Sequence, residues 1–166
     1  MNHFSATFRT PFGLFSIAVD ETGAVTGTAF GPVQALSQRL GTCHLVNDHS
    51  SCASARRQVL AYFAGERRDF ALRLAPRGTE FQQNVWAALR TIPDGETRTY
   101  GQIAAQLGNP AASRAVGRAN ATNPICVIVP CHRVIGADGS LSGFAFGEHL
   151  KRRLLQLEGA RAVGPT

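Results

Sequence analysis

The pentapeptide Pro130-Cys131-His132-Arg133-Val134 sets a thiol beside an imidazole directly after the apolar run Ile125-Cys126-Val127-Ile128-Val129. A thiol attacks only as its thiolate, and a free cysteine is mostly protonated at neutral pH. A base within hydrogen-bond reach is therefore what turns it into a nucleophile. The pair reads as a reactive cysteine where a β-branched strand runs out; taken alone, it also fits a small buried residue beside a surface histidine. Glu158 closes a helical pattern, where a carboxylate opposes the macrodipole unless it has a partner. His132 is the candidate partner. In a Cys131-His132-Glu158 relay the carboxylate would orient the ring while the ring, directly or through a water, deprotonates the thiol. Elsewhere Arg114 and Arg118 lie i, i+4 in a stretch of otherwise small residues, Ala111, Ala112, Ser113, Ala115, Gly117 and Ala119. Something must approach that backbone closely. It is either another element of the protein, with the arginines in solvent, or a nucleic-acid groove in which arginine pairs with phosphate or takes a base's place in a stack. Cys43, His44, His49 and Cys52 could offer soft ligands to zinc, but their spacing fits no structural zinc pattern and reads as a polar loop.

The composition bounds what these residues serve. The chain has 166 residues, 44% of them hydrophobic, enough for a proper core in one domain or two small ones. No apolar stretch approaches the roughly 20 residues of a membrane span, and the start shows no secretory signal, so the expected compartment is the cytoplasm. Four cysteines are too sparse for a disulfide scaffold and suit a reducing environment. A net charge of +6, nearly all from arginine, favours a polyanionic partner.

The elements that must position these groups follow from periodicity. Phe4, Ala6 and Phe8, then residues 14–19, read as a β-hairpin around Thr10-Pro11-Phe12-Gly13, with a third strand over 24–30. Residues 31–50 read as a loop or poorly ordered link. Ser51 could cap a helix that buries Val59, Leu60 and Phe63 and ends at Gly65; Phe70, Leu72 and Leu74 predict one more strand. Residues 75–78 look like a junction, dividing the chain into 1–76 and 77–166. Thr79 and Gln82 form a capping box for a helix burying Phe81, Val85, Trp86 and Leu89. Thr99 and Gln102 repeat the box for a short helix with Ile103 and Leu107, stopped at Gly108. Asn109 as cap and Pro110 at the first helical position open the next helix, 111 to about 120. Two short helices across so tight a turn make a helix-turn-helix candidate, which favours DNA for the Arg114/Arg118 face. Residues 135–140 form a turn, and 141–147 a flexible segment whose aromatics could wall a pocket. The last helix sets Leu150, Leu154, Leu155 and Leu157 on one side and Lys151, Arg152 and Arg153 on the other.

Six ordered blocks carry a family resemblance: Gly78-Thr79, Phe81-Gln82-Gln83 and Val85-Trp86; residues 95–101, Gly-Glu-Thr-Arg-Thr-Tyr-Gly; Gly108-Asn109-Pro110 followed by Arg114-Ala115-Val116-Gly117; Asn123-Pro124; residues 130–134; and Leu157-Glu158-Gly159. From about Thr79 to Gly159 the chain closely resembles the O6-alkylguanine-DNA alkyltransferases, or methylated-DNA-protein-cysteine methyltransferases. The resemblance implies an α+β fold: a small N-terminal ribonuclease-H-like β-sheet subdomain and a helical C-terminal subdomain with a winged helix-turn-helix. It implies DNA repair by irreversible, stoichiometric transfer of the alkyl group from O6-alkylguanine, and O4-alkylthymine, in double-stranded DNA to Cys131, after minor-groove binding and nucleotide flipping. Its catalytic set maps onto Cys131 as acceptor, His132 as base through water, Glu158 as orienter, Asn123 as hinge and Tyr100 as donor to the guanine N3 edge. Pro130, Val134, Phe144, Ala145 and Phe146 join Tyr100 around the base, with the Cys131 and Val134 carbonyls and the Ala145 amide reading its edges. Ser113, Arg114, Ala115, Gly117 and Arg118 face DNA, Arg114 filling the gap in the stack. No cofactor, metal or membrane is implied, and the protein is expected to be a monomer in solution, with cooperativity on DNA left open. Phe146 departs from a common glycine and puts an aromatic at the pocket mouth, Arg118 stands where a second glycine is frequent, and Cys126 where proline is common. Two other functions compete. A Cys-His hydrolase would need an oxyanion hole that nothing marks, and a non-enzymatic alkyl-lesion-sensing DNA-binding module would lack the acceptor thiol.

Overall fold

The computed structural model describes residues 2–42 and 44–160. By Cα proximity the chain divides into two units, residues 1–77 with 124–128, and residues 78–123 with 129–166.

The first unit is built on the alternation that predicts its hairpin. Strands β1 (His3–Thr10) and β2 (Gly13–Val19) pair antiparallel from Phe4 opposite Val19 to Thr10 opposite Gly13. Strand β3 (Val25–Phe30) adds antiparallel to β2. The 31–50 link departs from the expectation of a loop: it forms helix α1 (Val33–Leu40) and a short strand β4 (Leu45–Asn47), which pairs parallel to β1 and completes the order β3-β2-β1-β4. The missed signal is Val33, Leu36 and Leu40 at helical spacing, with Leu36 fully buried. Gly27 of β3 gives that helix its seat, since a Cβ there would come within 2.7 Å of the Leu40 side chain. Helix α2 (Ala53–Phe63) follows, its first turn preceded by Cys52 rather than Ser51 at the cap. It buries Ala55, Gln58, Val59, Tyr62 and Phe63, while Leu60 is only partly covered. Phe63 stacks with Phe12 and meets Phe15 edge-on, an arrangement worth somewhat more than its buried area alone.

Two expected strands do not form. Of Phe70, Leu72 and Leu74 only Leu74 bridges to the sheet, opposite Val25. Gln58 takes the place of a strand partner one turn earlier, accepting from the Ala71 amide at 2.9 Å and donating to its carbonyl at 3.2 Å. Pro76 then ends any ladder, having no N–H to give. The apolar run 125–129 is buried throughout but is no continuous strand: isolated bridge residues, Ile125 opposite Thr28 among them, flank a turn at 127–128. Val127 there has φ +74°, a left-handed conformation that a β-branched residue rarely adopts. The Thr28 hydroxyl donates to the Cys126 carbonyl at 2.8 Å, and its contact with the Cys126 sulfur is 3.3 Å.

The second unit realises both capping boxes. Thr79 and Gln82 exchange bonds of 3.1 and 2.9 Å at the start of α3 (Glu80–Leu89), and Thr99 and Gln102 do the same at α4 (Tyr100–Gln106). Each such cap is typically worth about 1 kcal/mol. Phe81, expected on the buried face of α3, is 36% exposed; Val85, Trp86, Ala88 and Leu89 form that face. After Gly108 a 3-10 turn over Pro110–Ala112 leads into α5 (Ser113–Ala121), and Asn109 makes no side-chain cap bond. The Trp86 indole donates to the Ala119 carbonyl at 2.8 Å, tying α3 to α5. Strands β5 (Arg98–Thr99) and β6 (Val134–Ile135) pair in parallel, and α6 (Glu148–Leu157) closes the unit by packing Leu155 with Ile135 and Leu141. Among the described residues no helix is long and apolar enough to cross a membrane.

Candidate functional site

Cys131, His132 and Arg133 form one turn of 3-10 helix between Pro130 and β6. Two amides from the neighbouring helix fix that turn. Asn123, just beyond α5, donates to the Val129 carbonyl at 2.9 Å, and Asn120 on the buried face of α5 donates to the Cys131 carbonyl at 3.3 Å. The Cys131 amide donates to Val129 at 2.8 Å and the Arg133 amide to Pro130 at 3.0 Å. The turn is thus held on both sides of the thiol, which is 4% exposed.

The expected His132–Glu158 contact is present. His132 is fully buried, and its Nε2 lies 2.7 Å from Glu158 Oε2. Its Nδ1 has no hydrogen-bond partner among the described residues. Sequence reasoning gave no role to Arg133, whose guanidinium grips the same carboxylate with two bonds of 2.9 Å, Nε to Oε1 and Nη2 to Oε2. Its Nη1 donates to the Ile92 carbonyl at 2.7 Å, and Asp94 lies 3.5 Å from Nη2. Burial pushes the Glu158 carboxyl up, but the His132 ring hydrogen-bonded to it and the Arg133 guanidinium outweigh that, holding the group well below the usual carboxylate range. Such a bidentate, charge-assisted fork is the strong form of the ion pair. It also supplies the partner that a carboxylate at a helix C-terminus needs.

Lys151 is a correction. Expected on the polar side of the last helix, it is fully buried, and its Nζ donates to the Val134 carbonyl at 2.6 Å. Burial lowers its ammonium to about 8, against upward pulls from the charges of Cys131 and Glu148. The signal was in the register. Positions 151, 154, 155 and 158 are i, i+3, i+4 and i+7, one helical face. Asn120 carries the same signal, since 116, 119, 120 and 123 share that spacing. Arg133, in a non-helical turn, carries no periodic signal at all.

The other expected residues are spread over α4, α5, the flanks of the acceptor turn and residues 144–146. Tyr100, half-buried at the start of α4, donates from its hydroxyl to the Ser142 carbonyl at 3.1 Å. Burial raises its phenol above the ordinary value, and the negative charge of Cys131 raises it further. Gly143, at φ +92°, leaves room for that hydroxyl, since a Cβ would stand 2.8 Å from it. Phe144 is buried and meets the half-buried Phe146 edge-on at 5.7 Å; Ala145 between them is exposed, and Pro130 and Val134 are buried. On α5, Arg114 and Arg118 are exposed, Ser113, Ala115 and Gly117 are partly covered, and Val116, Ala119 and Asn120 face inward. The helix therefore presents a basic outer face over a small-residue backbone. Cys43 of the possible zinc cluster lies outside the described residues. Cys52 is buried, with its thiol pushed up to about 11 by burial and by the Asp48 charge, and no group of three or more His, Cys, Asp or Glu able to hold a metal occurs among the described residues.

Known proteins share this arrangement of elements. The family model described as "6-O-methylguanine DNA methyltransferase, DNA binding domain" matches residues 80–160. The methylated-DNA-protein-cysteine methyltransferase of Methanosarcina acetivorans is 49% identical over 157 residues, which span 95% of this chain and 99% of that one. The corresponding protein of Mycobacterium bovis is 57% identical over 119 residues, 72% of each chain. A crystal structure of Mycobacterium tuberculosis OGT in complex with DNA superposes with a TM-score of 0.85 at 45% identity, covering 97% of this chain and 96% of that one. By its identity to these relatives along nearly its whole length, this chain belongs to the methylated-DNA-protein-cysteine methyltransferase family.

Proposed function

We propose that the protein repairs DNA by moving the alkyl group of O6-alkylguanine, and of O4-alkylthymine, to the sulfur of Cys131, once per molecule. The observation that carries this reading is His132, with Nε2 committed to an anionic Glu158 and Nδ1 open. A carboxylate only accepts, so Nε2 carries the ring proton and Nδ1 the lone pair of the neutral imidazole. That lone pair takes the Cys131 proton through a water. The thiolate attacks the alkyl carbon, a C–S bond forms, the C–O bond breaks, and its electron pair returns to guanine O6. Tyr100, exchanging its bond to the Ser142 carbonyl for one to the purine N3 edge, spares the base from leaving as a bare anion. A thioether has no good leaving group, so the acceptor is consumed.

Delivery of the lesion is assigned to residues 77–166. Helix α5 enters the minor groove through its small residues, Arg114 fills the stack vacated by the flipped nucleotide, and Arg118 contacts phosphate. Extrusion costs a few kcal/mol, least for a base that already pairs badly, which favours lesions over intact guanine. Pro130, Val134, Phe144, Ala145 and Phe146 enclose the base. The protein acts in the cytoplasm as a monomer. The test is intact-mass and peptide spectrometry after incubation with an oligonucleotide carrying O6-methylguanine. One added methylene on Cys131, absent in C131S, is expected. A protein that binds the lesion without forming that adduct would instead be a lesion-sensing module.

A further inference from the structure

Arg133 is 7% exposed, directly follows the acceptor pair, and spends three of its N–H groups on two partners, the Glu158 carboxylate and the Ile92 carbonyl. Satisfying a buried carboxylate would explain the contact but not its geometry. The Nη2 donor goes to the same Oε2 that faces His132 Nε2 at 2.7 Å. A cation and the imidazole therefore share one oxygen. An unopposed carboxylate at that distance in a buried site would hold the ring as imidazolium, already carrying the proton it has to accept. A guanidinium on the same oxygens takes up part of that charge and repels a proton on the ring. With both oxygens held, the carboxylate also cannot rotate away from Nε2.

We propose that Arg133 is a positioning residue that keeps His132 in its neutral, proton-accepting form by chelating Glu158. The inference rests on the reading of His132 as the base for Cys131. The charged and titratable groups around the acceptor turn come from every adjoining element: Cys131 and Arg133 from the turn itself, Glu158 from the C-cap of α6 against His132 and Arg133, Lys151 from α6 and Tyr100 from α4 acting on Cys131, and Asp94 from the turn after α3 against Arg133. Asp94, 3.5 Å from Nη2, pulls the guanidinium from the other side and works against the chelate. Changes at Arg133 and Asp94 should therefore move His132 in opposite directions.

The experiment follows His132 by NMR of imidazole-labelled, DNA-free protein, and in parallel the single-turnover rate on an O6-methylguanine duplex from pH 5.5 to 9, in the parent, R133M, R133K and D94N. In R133M the His132 midpoint and the acid limb of the rate profile are expected to rise together by about 1 unit or more, the size of effect a neighbouring charge produces. The rate then falls about tenfold or more at the acid end of the profile and recovers toward its alkaline end. R133K keeps the charge without the fork and should hold the midpoint near that of the parent while lowering the rate at every pH. D94N should lower the midpoint. If R133M does not fold, the opposite displacement in D94N and the unmoved midpoint in R133K decide the matter. An unchanged midpoint in both R133M and D94N, or a rate loss in R133M that is equal at all pH values, overturns the proposal. Failure of the parent to form the Cys131 adduct would defeat the alkyl-transfer reading separately, because the NMR midpoint needs no substrate.

Discussion

Replacing Lys151 by methionine tests the reading of this site against pH. The ammonium is fully buried, with one bond to the Val134 carbonyl, and is lowered from an ordinary 10.5 to about 8. Folding thus disfavours its charged form. At about 1.4 kcal/mol per unit, the 2.5-unit depression costs the folded protein roughly 3 kcal/mol at neutral pH. The unfolded chain binds the extra proton between pH 8 and 10.5, so stability rises with pH across that window, and the gain disappears as pH falls through 8. Methionine removes this dependence while leaving the Val134 carbonyl without its donor, a cost of about 1 to 3 kcal/mol at any pH. K151M should therefore match or exceed the parent by up to about 2 kcal/mol at pH 7 and fall below it by about 1 to 3 kcal/mol near pH 10.5. The robust quantity is the swing of about 3 kcal/mol between the two ends. Urea unfolding of both proteins at half-unit intervals from pH 7 to 10.5 measures it. A difference constant within about 1 kcal/mol would refute the buried, charge-depressed lysine. The same variant should transfer methyl groups more slowly at neutral pH, because it removes a cation that favours the Cys131 thiolate.

Other perturbations have simpler readouts. F146G should raise the rate on benzyl-sized O6 adducts relative to methyl, since Phe146 stands edge-on to Phe144; competition kinetics giving an unchanged ratio would contradict this. R118A should lower the slope of log affinity against log salt by about 0.9, one phosphate contact, in titrations of duplex binding. Methylation of Cys131 adds volume to a buried turn and should destabilise the protein by about 1 to 3 kcal/mol, visible as a lower thermal midpoint after reaction.

Much of the second unit is legible because its signals are local. Both capping boxes, the Pro110 start and the paired arginines of α5 need only neighbouring residues, and each occurs where the spacing puts it. The His132–Glu158 contact spans 26 residues, yet it was readable because a carboxylate at a helix C-terminus is unfavourable without a partner. Lys151 and Asn120 are readable in principle from register, but a charged or amide side chain carries no hydrophobic signal to mark its face as buried. Arg133 was not readable. Its partners come from the turn after α3 and the end of α6, brought together only by tertiary structure. The two expected strands that do not form lack a distinguishing signal. A five-residue apolar run is buried as strand or as turn alike, so composition could not reveal the left-handed Val127, nor that Gln58 would stand in for a strand beside Ala71.

Helix α6 and its C-cap touch the acceptor turn and the strand that follows it at two points seven positions apart, Lys151 on the Val134 carbonyl and Glu158 on His132 and Arg133. Two contacts on one rigid rod make its length a ruler. A single residue inserted between them would rotate Glu158 by about 100° relative to Lys151 and advance it by about 1.5 Å, so both could not be kept at once. The segment should accept substitutions at exposed Gln156 but tolerate no change in the number of residues between 151 and 158.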